Sequence, residues 1–111
     1  MTSTAVKNRR RGKRVEKKVT DLYRTFDEEL RRIGVLGSED VIGSKFVIEV
    51  KSRKTLPKWL IHAFEQLRES QHPHKFHVIH VHLTGNRYIT DVVIMSVKTF
   101  FDICKKLFSK E

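Results

Sequence analysis

The sequence predicts an α/β fold, a small central mixed β-sheet flanked by helices. Three observations lead there. Apolar residues recur at steps of three and four in three separate stretches, the rhythm of helices with one buried face. Between the first two stretches lies a segment, Lys45 to Lys51, that alternates with period two, as a strand does. Between the last two lie a pair of strand-like runs joined by Thr84-Gly85-Asn86-Arg87, the composition of a hairpin turn. A chain of 111 residues has material for one core.

Taken in order, residues 1–12 are small, polar and then basic, and are expected as a flexible basic arm. Residues 13–111 are expected as a single domain. Its first helix is predicted from Lys13 to Ile33, with Val15, Val19, Leu22, Tyr23, Phe26, Leu30 and Ile33 on one face and Gly34 as the stop. Gly37, Ser38 and Gly43 mark turns around a short segment carrying Glu39 and Asp40. In the strand from Lys45 to Lys51, Phe46, Ile48 and Val50 share one face, and Val47, Glu49 and Lys51 the other. Pro57 suits the start of a second helix, Lys58 to Ser70, with Leu60, Ala63, Phe64 and Leu67 at helical spacing. After a turn around Pro73, Phe76 to Leu83 and Tyr88 to Met95 form the hairpin. Ser96 can cap a last helix whose apolar face holds Val97, Phe100, Phe101, Cys104, Leu107 and Phe108. The predicted order is one helix, two strands, a helix, two strands and a helix.

The charge is lopsided: 23 Lys and Arg oppose 13 Asp and Glu, giving +10 and a pI near 10.1. A polyanionic partner follows, nucleic acid before an acidic membrane, because the chain lacks an amphipathic helix with a basic face opposite Trp or Phe. No apolar run approaches the roughly 18 residues of a transmembrane helix. The basic cluster precedes any apolar stretch, the wrong order for a secretory signal. With one cysteine, Cys104, no intrachain disulfide can form, and an intracellular, cytoplasmic protein is expected.

The chemistry centres on Glu49-Val50-Lys51. Residues two apart on a strand project from one face, so a carboxylate and an ammonium stand side by side while Val50 anchors the other face. A carboxylate oxygen can hold a hard divalent cation such as Mg2+, with Mn2+ as a substitute, and the ammonium can orient water and balance phosphate charge. Glu-x-Lys arises by chance about once in a chain of this size, so the tripeptide alone decides little. Asp40 lies upstream on a segment able to pair with the Glu49 strand and share a metal, though a turn aspartate is common in such surroundings. Glu16 on the first helix is either a further ligand or a surface carboxylate paired with neighbouring lysines. Gln66 on the second helix can hydrogen-bond the site or DNA, or simply flank the apolar stripe. Arg53, Lys54 and Lys58 give the site a basic rim, and Arg9, Arg10, Arg11, Lys13 and Arg14 extend the phosphate-binding charge.

These residues carry a resemblance. Gly12-x-x-x-Glu16, Asp40, then Ile48-Glu49-Val50-Lys51-Ser52-Arg53-Lys54 with its Leu56-Pro57-Lys58-Trp59-Leu60 continuation, then Gln66, resemble the archaeal-type Holliday junction resolvases. They look still more like the small phage-encoded nucleases related to them. The resemblance runs from Gly12 to the last helix and is most specific from Ile48 to Leu60. It implies a restriction-endonuclease-like PD-(D/E)XK core and a homodimer acting on branched or duplex DNA. It implies metal ligation by Asp40, Glu49 and the Val50 carbonyl, with Glu16 often added, and catalysis by Lys51. The reaction it implies is phosphodiester hydrolysis to a 5′-phosphate and a 3′-hydroxyl. For a phage-encoded member the host cytoplasm would be the site of action. The family's proline before the aspartate is replaced by Glu39 here, so either Glu39 or Asp40 can face a metal, and Asp40 is favoured. A general duplex or flap nickase and a non-catalytic basic DNA-binding protein are the alternatives.

Five of the six histidines, His72, His74, His77, His80 and His82, crowd one stretch. No Cys pair accompanies them, so surface, DNA-edge or dimer-contact histidines fit better than structural zinc. Cys104 is expected as a buried small hydrophobe. Phe100, Phe101 and Phe108 are expected in the core, with part of that stripe available for a dimer contact. Trp59 fits a packing anchor or a base-stacking residue equally well.

Overall fold

In the computed structural model, residues 4–33 and 40–109 are described. The chain forms two compact units, Met1–Lys54 and Thr55–Glu111. Both are built from helices and short antiparallel strands, an α/β protein.

The first unit opens with helix α1 (Thr4–Tyr23). It therefore takes in most of the segment expected as an arm: the Ala, Lys and Arg of that segment are good helix formers. At its other end α1 stops about ten residues short of the predicted Ile33. The spacing of Phe26, Leu30 and Ile33 continues the helical rhythm, yet Phe26 and Asp27 both donate their N–H to the Tyr23 carbonyl and the chain turns. Arg24 fixes the turn by donating Nε to the Leu30 carbonyl at 3.2 Å. Leu30 is buried, as its spacing implied, but in a loop.

The turn leads into a strand the sequence did not reveal, β1 (Arg31–Arg32). It pairs antiparallel with β2 (Val41–Ile42), which pairs antiparallel with β3 (Val47–Ile48). Gly34, Gly37, Ser38 and Glu39, read as turn signals and an extra carboxylate, lie outside the described residues. Regular pairing ends at Ile48, three residues before the predicted Lys51. The predicted facing nevertheless runs on: Phe46, Ile48 and Val50 are partly covered while Val47, Glu49 and Lys51 are exposed. The core of this unit is Leu30 and Val41 with two polar residues, Thr20 and Asp27. Thr20 satisfies its hydroxyl on the Glu16 carbonyl at 2.7 Å.

Asp27 organises the β2–β3 hairpin. Its carboxylate is fully buried and accepts the N–H of Glu29, Ser44, Lys45 and Phe46 and the Ser44 hydroxyl, at 2.7–3.2 Å. Gly43 sits so close that a Cβ there would run into the carboxylate, so the hairpin needs glycine at this point. Tyr23 closes the hairpin's other side, edge-on to Phe46 with ring centroids 5.5 Å apart.

In the second unit, Pro57 precedes helix α2 (Lys58–Glu69), within a residue of the prediction. The extended Pro57 backbone (φ −54°, ψ 146°) lets its carbonyl accept from Leu60 and Ile61. Strands β4 (Ile79–Val81) and β5 (Val92–Ile94) form the predicted antiparallel hairpin. The Leu83 carbonyl accepts from Asn86, with Gly85 at φ 85° in the third place of the turn, a conformation that favours glycine. Tyr88–Thr90, expected as the start of a strand, is a 3-10 turn, because Thr90 and Asp91 return their N–H to Arg87 and Tyr88. Helix α3 (Val97–Leu107) begins where predicted, with the Ser96 hydroxyl accepting from Thr99 N–H at 3.1 Å. Leu60 and Cys104 are buried, and Phe100, Phe101 and Phe108 are partly covered.

The strands thus form a three-stranded and a two-stranded sheet, both antiparallel, where one central mixed sheet was expected. Strands of two and three residues make too few cross-strand bonds to extend a larger ladder by themselves. Among the described residues no helix is long and apolar enough to cross a membrane.

Candidate active site on the β2–β3 hairpin

Asp40 stands where all three strands of the first sheet meet. Its carbonyl accepts from Ile33 and its N–H donates to the Ile48 carbonyl, at 3.1 and 3.2 Å. Its carboxylate Oδ2 accepts the Val50 N–H at 2.6 Å. It is thereby bonded to the residues on both sides of Glu49. Oδ1 takes no hydrogen bond among the described residues.

Glu49 and Lys51 form an ion pair, Oε1 to Nζ 2.9 Å, with both side chains about half exposed or more. The Glu49 hydrogen bond and charge, with a further contribution from Asp40, raise the Lys51 pKa above its ordinary value, while Arg53 opposes them. The pairing favours the ammonium form of Lys51, a hydrogen-bond donor. Asp40, Glu49, Lys51 and Arg53 form one electrostatic group at the end of a hairpin whose loop is locked by Asp27. Arg53 itself donates to the Ser52 carbonyl at 2.8 Å, and Lys54 is exposed.

Glu16, on α1, is held by β1. Its Oε1 accepts from Arg32 Nε at 3.2 Å, tying α1 to β1. Of its two expected roles, a further metal ligand or a partner of neighbouring lysines, the structure replaces the second with an arginine sixteen residues on. Arg10, Arg11, Lys13 and Arg14 are exposed along α1, on which Arg9 also lies. Lys58 and Gln66 are exposed on α2 in the second unit.

Among the described residues no three His, Cys, Asp or Glu side chains converge to hold a metal. Asp40 and Glu49 offer two hard oxygen donors, and one Asp40 oxygen takes no hydrogen bond among the described residues. That set fits Mg2+, which is commonly held by one or two carboxylates and completes its shell with water and phosphate oxygens.

Two aspartates escaped the sequence reading. For Asp27, burial pushes the carboxyl up, but the hydrogen bonds from Lys45, Ser44 and Phe46 outweigh it and bring the pKa down from 3.8 to about 2. Asp91 does comparable work in the second unit. Its Oδ2 takes His80 Nε2 at 2.7 Å, and its Oδ1 takes His82 Nδ1 at 2.8 Å and the Leu83 N–H at 3.1 Å. Burial again raises its pKa, and the bonds from His80, Leu83 and His82 more than reverse that, leaving it below its ordinary value. The available signal was the alternation that puts His80 and His82 on one face; it could not say which residue faces them.

Cys104 is buried, and burial pushes its thiol pKa up, which removes it as a nucleophile. Trp59 is 55% exposed, more than a packing anchor requires. A groove of about 1250 Å3 in the second unit is lined by Leu60, Phe64, Leu67, Phe76, Ile94 and Val97 among others, and by none of the candidate site residues. No family model, curated protein or solved structure matches this chain.

Proposed function

We propose that this protein is a metal-dependent, structure-selective DNA endonuclease of the PD-(D/E)XK type, acting as a homodimer, with Holliday junction resolution as its reaction. The observation that supports this best is the hairpin group: Asp40 bonded on both sides of Glu49, and Glu49 paired with Lys51 at 2.9 Å. Asp40 and Glu49 would hold Mg2+ or Mn2+ with the Val50 carbonyl. A cation bound there supplies Lewis-acid polarisation of the scissile phosphate and a more acidic water. Lys51, an ammonium at neutral pH, donates to the attacking water or to a phosphate oxygen and offsets the charge that develops there. Arg53, Lys54 and the cations exposed along α1 bind flanking phosphates without reading sequence. A C2 dimer matches the twofold symmetry of a four-way junction and delivers the two matched cuts that resolution needs.

The test is cleavage of an end-labelled four-way junction and of its linear duplex control, each with Mg2+ and with EDTA. Paired Mg2+-dependent cuts in the junction alone are expected. Glu49→Ala and Lys51→Ala should each cut about 100- to 1000-fold more slowly while binding DNA nearly as well. Wild-type turnover in either variant removes that residue from the mechanism. Equal cutting of both substrates replaces junction resolution with general nicking. The exposed cations of α1 favour one second reading, a non-catalytic DNA-binding protein; binding without cutting in both Mg2+ and Mn2+ would select it.

A further inference from the structure

The tip of the β4–β5 hairpin carries an arrangement that the hydrolytic reading does not use. The Tyr88 ring lies on the His82 imidazole, centroids 4.1 Å apart and planes 18° from parallel. His82 is itself held by Asp91, whose side chain is only 2% exposed and which also takes His80 and the Leu83 N–H. With Nδ1–H given to the carboxylate, the His82 tautomer and ring plane are fixed. Tyr88 nevertheless remains 76% exposed, and its neighbour Ile89 85%. Ordering an exposed side chain costs rotamer entropy with little burial in return, so the core does not account for this stack. What the stack provides is a flat aromatic surface, braced from behind and open in front. Arg87 precedes Tyr88 in the chain and is exposed, and the carboxylate of the turn, Asp91, is engaged by its own hairpin.

A ligand that suits a braced, open aromatic face beside a cation, on a chain of net charge +10, is itself planar and anionic. Unpaired nucleotides have that chemistry: every base offers a π-face and every linkage a phosphate, whereas bases inside a duplex have their faces covered. We propose that Tyr88, braced by His82 and Asp91, is a stacking site for an unpaired nucleobase of a DNA strand, with Arg87 on the adjoining phosphate. This rests on the DNA-directed reading above and deepens it: it gives the protein a means of preferring opened or branched DNA over continuous duplex.

The test is equilibrium binding of the full chain to a fluorescently labelled oligothymidylate and to a blunt duplex, by anisotropy in EDTA so that no cleavage intervenes. Tyr88→Ala should weaken single-strand binding roughly 10-fold and change duplex binding less than about 2-fold. Tyr88→Phe should restore the single-strand affinity, and Asp91→Asn, which loosens the bracing ring, should lose part of it. Circular dichroism of the exposed-site variant Tyr88→Ala should match the parent. Unchanged single-strand binding in Tyr88→Ala would overturn the proposal. So would an equal loss on both DNAs, or a loss of self-association in place of a loss of DNA binding. The nuclease reading fails on a different result, the absence of cleavage in Mg2+ and Mn2+, so the two can fall separately.

Discussion

The β2–β3 and β4–β5 hairpins are each organised by an aspartate, and the two aspartates do different work. Asp27 accepts four backbone N–H groups and one hydroxyl, so what it orders is the chain itself, the loop that sets β3 against β2. Asp91 accepts two imidazoles and one backbone N–H, so what it orders is a set of side chains at the surface. Both carboxylates are almost wholly covered and both have depressed pKa values. The identity of the partner, more than burial or charge, decides whether a buried carboxylate orders backbone or surface side chains. Asp40 is a third case: one N–H on Oδ2, and Oδ1 unused among the described residues.

The contrast can be broken most directly at Asp27. Replacing it with Ala strands buried N–H groups, and Asp27→Ala should cost about 3 kcal/mol of stability in urea unfolding. An unchanged midpoint would mean that the 43–46 loop is held by something else. Acid sharpens the same point. Because the folded carboxyl titrates at about 2 and not at its ordinary 3.8, its contribution is complete above pH 3.8 and is lost as pH falls toward 2. The parent should therefore weaken across that window more steeply than Asp27→Asn, in urea midpoints taken at successive pH values.

Gly43→Ala drives a methyl into the same carboxylate and should cost about 2 kcal/mol, with no comparable loss for Gly85→Asn, whose left-handed turn asparagine tolerates. Asp91→Ala should lower the midpoint clearly less than Asp27→Ala, since the His80 and His82 side chains are 59% and 36% exposed and can turn to water. Equal losses would erase the distinction between ordering backbone and ordering surface side chains. The smallest effect is expected outside both hairpins. Gln71 follows α2 in the left-handed region at φ 59°, so Gln71→Gly should stabilise by about 0.5 kcal/mol in thermal unfolding.

Elements governed by local chemistry were legible. Pro57 and Ser96 set the starts of α2 and α3, and Gly85 set the β4–β5 turn, because each acts on residues within a few positions of itself. The end of α1 was not legible: the apolar spacing through Phe26, Leu30 and Ile33 fits a helix, and the group that favours the turn, Asp27, finds most of its partners seventeen to nineteen residues away. In the candidate site, Glu49 and Lys51 were readable as a same-face pair, since strand alternation is local. The link from Asp40 to Val50 spans ten residues and follows from hairpin register. The partner of Glu16 was missed for the same reason, because Arg32 comes within reach only when the chain turns back after Tyr23.

The sequence by itself determined the α/β composition, the β4–β5 hairpin, two of the three helices to within a residue or so, the alternation that carries Glu49 and Lys51, and a basic charge suited to a polyanion. Those are properties of composition and short-range periodicity, which the folded chain cannot alter. The tertiary structure decided where α1 ends, that Arg31–Arg32 is a strand, that the strands divide into two sheets, and which carboxylates are spent on the fold. Such choices depend on whether a buried donor finds an acceptor, and here the acceptors stand far along the chain from the groups they satisfy.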